Sequence, residues 1–248
     1  MSVHNPLNHA ATIRMPAAGT PPVTTEEIAA VLGEHDASAE QALSMYARRC
    51  GYSPQDALYH QGSACDSVYF ITSGLLKLVT YLPNGRARIV RLRRPGAVLG
   101  LSGLFDLPYE HTAVAVTPVD VLCLPLSTMR HLREENMAVY VNLAERWHDD
   151  LQDADRWITQ FSTGPIRGRV ARLLAFLSQS GSGPEEAADG QLQLLTCEEM
   201  GSILGVTNES VSRILAEFKR RQILAHPHGG SNRLYAADLQ RLRDIAEE

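Results

Sequence analysis

The stretch LLTCEEMGSILGVTNESVSRILAEFKRRQIL, Leu194 to Leu224, limits what this chain can fold into more than any other segment. Thr196 followed three residues later by Glu199 is a capping box, so a helix starts at Cys197, with Leu195 and Met200 as the accompanying hydrophobic staple. Gly205 stands where a left-handed cap ends that helix, and Thr207 caps the next one at once. At about 100° per residue, Val211, Ile214, Leu215 and Phe218 gather on one face of the second helix. Glu209, Ser212, Arg213, Ala216 and Arg220 gather on the other. Gly201 in the first helix lets the two backbones come near each other. After Leu224, AHPHGGSNRLYA reads as a hairpin with Gly229-Gly230 at its tip, a wing, and DLQRLRDIA as a closing helix with Leu239, Leu242 and Ala246 inward.

Two helices joined by so tight a turn, the second presenting polar forks and one small residue, have the shape that enters the major groove of double-stranded DNA. The chemistry of the outer face fits base edges. Arg213 can donate a fork to guanine O6 and N7, Glu209 can accept from cytosine N4, and Ser212 can bond either kind of edge. Thr196, Thr207, Asn208, Ser210, Lys219, Arg220 and Arg221 are candidates for phosphates, which position a domain without specifying sequence.

Upstream, the texture changes twice. Residues 1–24, with Pro6, Pro16, Gly19, Pro21 and Pro22 among small and polar residues, read as a disordered tail. Helical spacing runs from Thr25 to Tyr46. From Ala57 onward come short β-type segments: ALYH, SVYFI, GLLKLVTYL, RARIVRL, AVLGL, HTAVAV and VDVLCLP. Glycines recur about every 11 residues between them, and Asn84-Gly85 is a hairpin signal. So many short strands predict a sandwich or rolled barrel over residues 25–134. After Pro125 the period is helical again, and residues 135–163 form one long segment. Its apolar positions Leu143, Trp147, Leu151, Ala154, Ile158 and Phe161 step by threes and fours as a narrow seam. Such a seam predicts pairing with a second copy across a two-fold axis, a homodimer. Gly164-Pro165 breaks the helix, so residues 164–248 form the last domain. The fold class is α+β.

Composition narrows the context. With 248 residues and 44% apolar content there is material for two cores, and the net charge of −5 argues against non-specific coating of nucleic acid. Any DNA contact must come from a local basic surface. Cys50, Cys65, Cys123 and Cys197 form no C-x-x-C pair, which suits a reducing compartment. No leader pattern and no run near the roughly 18 apolar residues that span a bilayer are present. The expectation is a cytoplasmic protein without membrane contact.

The chain resembles the CRP/FNR family of bacterial transcription regulators over residues 25–248. YHQGSACDSVYFITSGLLKLVTYLPNGRARIV is similar to the family's cyclic-nucleotide-binding-like β-roll, a jelly roll. TNESVSRIL resembles the E-x-x-S-R recognition helix of the FNR branch, carried by Glu209, Ser212 and Arg213. The resemblance implies a β-roll sensor, a dimerisation helix and a winged helix-turn-helix, a TTGAT-N4-ATCAA-like operator and contact with RNA polymerase.

Departures from the family bear on the signal. Cyclic-AMP-binding members carry a G-E-L segment and an Arg-Ser pair, and the matching stretch here, GLSGLFDLPYEHTAVAV, has Gly100, Leu101 and Ser102 and then Glu110 and His111. These five residues are the candidate effector pocket. A carboxylate beside a phosphate repels it, so tight cyclic AMP binding is not expected. The family's iron-sulfur members need an N-terminal cysteine cluster, and no cysteine precedes Cys50, so such a cluster is not expected either. Cys123 lies in phase with Val119 and Val121 and reads as a core thiol. Cys197 opens a helix, where the dipole favours a thiolate, and Cys65 has no assigned role. His60 and His111 lie in predicted strands and are what a haem-binding variant would use. Nothing indicates haem or a metal. Arg86, Arg88, Arg91, Arg93 and Arg94 read as a solvated strand and hairpin face, with a polymerase contact implied by the resemblance.

Two other classes compete. A cupin-type metalloenzyme needs H-x-H followed by a carboxylate inside the barrel, and the only H-x-H here is His226 and His228, in the wing. No catalytic residue is assigned. A ligand-binding module that docks a protein through its helical hairpin is separated from a gene regulator by DNA binding.

Overall fold

Strand β3 (Ser67–Ser73) carries the continuous apolar run Val68, Tyr69, Phe70 and Ile71, all buried. A strand that alternated would leave one side to water, so this one must be covered on both faces. In the computed structural model, which describes residues 22–32, 37–83, 85, 87–135, 137–179, 191–226 and 233–248, that is how it lies. It pairs antiparallel with β8 (Val119–Pro125) on one side and β6 (Val98–Leu99) on the other. β8 pairs in turn with β1 (Arg48–Tyr52), giving the order β1-β8-β3-β6. Helices α2 (Ala37–Tyr46) and α3 (Leu126–Glu135) pack on this sheet. β2 (Ala57–Tyr59) pairs antiparallel with β7 (Thr112–Ala115).

Tyr59 stacks on Tyr109 at 3.8 Å between ring centroids and meets Tyr69 at 5.7 Å. The Tyr109 hydroxyl donates to the Ser67 carbonyl, so this aromatic cluster buries no unpaired phenol there.

The proline-rich segment read as a tail falls outside the described residues except for its end. There Val23 is buried, and Thr24 and Glu27 form a reciprocal cap on α1 (Thr25–Leu32). The ordering reaches further toward the N-terminus than composition suggests, because Glu27 also pairs with Arg49 on β1.

The chain divides into two compact units, Met1–Leu76 with Pro95–Asn142, and Lys77–Arg94 with Leu143–Glu248. The second takes in β4 (Leu76–Tyr81) from Lys77 onward and β5 (Ala87–Arg93), residues that the sequence groups with the roll. Side-chain bonding explains the grouping. Arg93, 5% exposed, binds the Asp150 carboxylate on α4 (Met137–Ser162) at 2.5 and 2.6 Å, and Arg91 donates to the Asp150 carbonyl at 3.2 Å. Arg94 lies over the Phe176 ring at 4.2 Å. The expectation of a solvated arginine face therefore fails for Arg91, Arg93 and Arg94. Arg91 and Arg93, two residues apart on the strand, point the same way, and that side meets a helix carrying Asp150. Arg86 lies outside the described residues.

Within the same unit follow α5 (Ile166–Ser178), β9 (Gln191–Gln193), α6 (Cys197–Leu204), α7 (Asn208–Arg220), β10 (Leu224–Ala225), β11 (Leu234–Ala237) and α8 (Leu239–Glu247). The small sheet runs β10-β11-β9, antiparallel throughout. Gly229 and Gly230, the expected tip of the wing, lie outside the described residues. Arg172 of α5 donates to the carbonyls of Gln160, Thr163 and Ala246, all at 2.7 Å. One guanidinium thus satisfies the open end of α4 and ties it to α8.

Candidate nucleic-acid interface

The two helices are built by local chemistry. Thr196 Oγ1 accepts from the Glu199 amide at 3.0 Å, and the Glu199 carboxylate accepts from the Thr196 amide at 2.9 Å. The box closes the N-terminus of α6, while Leu195 and Met200 of the staple are both buried. Gly205 ends the helix with φ of 65°, a left-handed conformation that side chains disfavour. At Gly201 a Cβ would stand 2.8 Å from the Val206 carbonyl oxygen, so only glycine lets the turn pass this close.

Thr207 then caps α7, its hydroxyl accepting from the Ser210 amide at 3.3 Å and lying 3.1 Å from the Ser210 hydroxyl. Val211, Ile214, Leu215 and Phe218 are buried, with Phe218 fully so. Asn208, Glu209, Ser212, Arg213, Ala216, Lys219 and Arg220 are exposed. The structure therefore brings Glu209, Ser212 and Arg213 to one outward side of the helix, in its first turns. The Glu209 carboxyl is held below the ordinary carboxylate range by its own backbone amide and then by the Thr207 hydroxyl. It stays an acceptor at neutral pH.

The phosphate candidates divide. Thr207, Asn208 and Ser210 sit at the start of α7, where the helix dipole favours an anion. Arg220 is exposed at the last position of the helix. Lys219 donates to the Tyr235 hydroxyl at 2.7 Å and lies over its ring, so strand β11 of the wing sets where its ammonium points. Arg221 pairs with Glu217 at 3.3 Å, and Glu217 also meets Arg167 of α5 at 3.4 Å. Thr196 is set apart from the others: its amide and hydroxyl both donate to Glu199, which leaves it no donor for a phosphate.

Glu199 has a second task that spacing along the chain does not reveal. Lys77 of β4 meets its carboxylate at 2.6 Å, and Ser202, one turn on, accepts from the Ile89 amide of β5 at 2.9 Å. The cap of α6 is thus also its attachment to the β4–β5 hairpin. Burial pushes the Glu199 carboxyl up, but the Lys77 bond, the Thr196 amide and the lysine charge outweigh it, and the net shift is downward. A carboxyl depressed in the folded state contributes stability above its unfolded value and loses it as pH falls through the folded one. Thermal melts from about pH 6 to about pH 3 are expected to show the midpoint falling with acid, and Glu199→Gln is expected to flatten that fall. An unchanged slope in the variant would remove Glu199 from the account.

The candidate effector residues lie in the first unit. Gly100 precedes a 3₁₀ turn over Leu101–Phe105, and Ser102 reaches the Pro108 carbonyl at 3.4 Å. Glu110 is exposed, His111 is half-buried, and the next residue, Thr112, is buried and accepts from the Gln61 amide at 3.0 Å. Among the described residues, no three His, Cys, Asp or Glu side chains converge as a metal site.

Comparison with known proteins places this geometry. Residues 49–136 match the cyclic nucleotide-binding domain family, and residues 168–245 match the Crp-like helix-turn-helix domain family. The transcriptional regulator LdrP of Thermus thermophilus is 30% identical over 193 residues, covering 77% of this chain and 93% of that protein. The chain belongs to the CRP/FNR family of transcriptional regulators. The cAMP-activated global transcriptional regulator CRP of Haemophilus influenzae is 25% identical over 190 residues, 75% of this chain and 83% of that one. Among solved structures, a CRP-family regulator from Thermus thermophilus aligns with TM-score 0.64 at 27% identity over 80% of this chain and 96% of that one. FixK2 of Bradyrhizobium japonicum shares the fold, with TM-score 0.67 at 22% identity over 80% and 96%.

As a CRP/FNR regulator the protein has a DNA-binding helix-turn-helix, and α6 and α7 are that motif. The α+β architecture expected from the sequence is the family's. Sequence reading missed three supports of the motif: Lys77, Ser202 and the arginines of α5. Arg169 donates to the Leu204 carbonyl at 2.8 Å, satisfying the end of α6. The only available signal was RGRVAR itself, a basic run opening a helix beside apolar positions.

Proposed function

We propose that this regulator acts as a cytoplasmic homodimer that binds a two-fold symmetric site of the TTGAT-N4-ATCAA type. Glu209, Ser212 and Arg213 read bases, and Thr207, Asn208, Ser210, Lys219, Arg220 and Arg221 meet phosphates. The observation that carries this reading is the shared outward side of α7, where those three groups stand beyond a buried face that fixes the helix. The E-x-x-S-R pattern supports the half-site. The protein is not an enzyme in this reading, and RNA polymerase is its second partner. A signal in the roll changes the balance between DNA-competent and incompetent arrangements.

Fluorescence anisotropy with the palindrome and with a scrambled duplex tests it. Arg213→Ala is expected to weaken the palindrome complex by about 1–3 kcal/mol, roughly 5- to 150-fold, and to relax choice at the guanine. Equal losses on both duplexes would contradict base reading. Lys219→Ala is expected to weaken both complexes alike and to lower the salt slope by about 1. A loss confined to the palindrome would instead make Lys219 a reader.

The roll does not hold cyclic AMP tightly on this reading. Leu101 offers no carboxylate or donor to a ribose, and Glu110 brings negative charge next to His111. Saturable micromolar binding in calorimetry would overturn that.

A further inference from the structure

The cations at the end of α7 are held in different ways. Arg221 faces the Glu217 carboxylate at 3.3 Å, and Glu217 also faces Arg167 at 3.4 Å, so charge is offset there within the protein. Lys219 is paired with no carboxylate among the described residues. Its ammonium donates instead to the Tyr235 hydroxyl at 2.7 Å and stands 4.6 Å from the centre of that ring.

Tyr235 is well fixed. It is buried on strand β11, opposite Leu192 of β9, and its neighbour Ala236 lies opposite Ala225 of β10, so the backbone that carries it is paired on both sides. The His226 ring lies against the tyrosine ring, with 4.0 Å between centroids and a tilt of 38°. Close packing of this kind leaves the phenol little freedom to move its hydroxyl.

Resting on the DNA-binding reading above, we infer that Tyr235 is a positioning residue for that binding: its hydroxyl holds the Lys219 ammonium in place for a backbone phosphate without neutralising it.

The chemistry of the anchor is what makes it suitable. A lysine with no partner spreads its ammonium over many rotamers, and that freedom is lost when a phosphate fixes it. Here the ordering precedes the arrival of DNA. A carboxylate anchor would order the lysine equally well, but it would cancel the attraction and bring a second negative charge toward the phosphates. A phenol hydroxyl is neutral. It accepts one of the three ammonium protons and leaves two donors and the whole charge for an anion. Tyr235 acts through Lys219, 16 positions away in sequence, and need not touch the nucleic acid.

The test measures binding of the full-length protein to the palindrome and to the scrambled duplex over a series of salt concentrations, for Tyr235→Phe, Lys219→Ala and the double variant. Phenylalanine keeps the ring and its packing and removes only the hydroxyl. Tyr235→Phe is expected to weaken both complexes about 3- to 10-fold per bound subunit, the scale of ordering one long side chain. Its salt slope is expected to stay at the parental value, because Lys219 keeps its charge. In the Lys219→Ala background the same change is expected to have no further effect, which a general loosening of the wing would not produce. Equal losses in the two backgrounds, or a Tyr235→Phe protein that binds as the parent does, would overturn the positioning role and leave the phosphate contact of Lys219 standing. Lys219→Ala with parental affinity and parental slope would overturn that contact, and the positioning with it.

Discussion

Phe218→Ala is expected to cost about 3–5 kcal/mol of stability in the second unit. Phe218 is fully buried on the inward face of α7, among Val211, Ile214 and Leu215, and the Arg167 guanidinium lies over its ring at 5.9 Å. Truncation removes the transfer energy of the ring and leaves a cavity that two capped helices and a short turn cannot collapse to fill. Domains hold only about 5–15 kcal/mol in total, so the loss is a large share. Both tryptophans of the chain, Trp147 and Trp157, belong to this unit, so urea unfolding followed by tryptophan fluorescence reports on it alone. Arg213→Ala, on the exposed face, is expected to stay within about 0.5 kcal/mol of the parent in the same assay. If the two variants unfolded at the same urea concentration, the inward and outward faces of α7 would be wrongly assigned.

That contrast marks what the sequence could tell. The helix pair was legible because everything that specifies it is local: the box at Thr196 and Glu199, the left-handed stop at Gly205, the cap at Thr207 and a period that separates Phe218 from Arg213. Strand segments were legible for the same reason, since alternation and turn residues act over a few positions. Contacts made by pairing were not. Reading β8 alone put Cys123 in phase with Val119 and Val121 as a core thiol. Its diagonal placement beside Cys50 depends on the register of β1, which no local signal fixes. Lys77 and Glu199 pair across most of the chain, and Arg93 buries itself on Asp150 through an orientation that a run of alternating arginines does not disclose. Lys219 is a similar case: its helix position pointed to phosphate, but Tyr235 of the wing decides where its charge sits. In each instance the missing information is which strand or helix lies opposite, and that is a property of the whole fold.

The double variant Leu151→Glu, Ile158→Glu is expected to turn the proposed dimer into a monomer. On α4 the seam positions at the two ends, Leu143 and Phe161, are buried, whereas Trp147, Leu151 and Ile158 between them are 46%, 61% and 59% exposed. Their spacing of four and seven keeps them on one stripe, the pattern of a helix seam. Burying such side chains contributes about 25 cal/mol per Å² of apolar surface, and the contribution is doubled when two copies meet. Two carboxylates per helix reverse it, since like charges would face each other across the axis in a setting where neither is solvated. Because both side chains already face water within one chain, the variant is expected to keep its helix content, and its tryptophan-detected unfolding midpoint is expected to lose the dependence on protein concentration that the dimer confers. Sedimentation at micromolar concentration is expected to give half the parent mass. Binding to the palindrome is expected to fall by about 10²–10⁴, the advantage that a linked second half-site confers, and binding to a single half-site to change little. A parent that sediments as a monomer, or a variant that remains a dimer, would move the two-fold axis away from this helix and leave the paired recognition helices without a cause.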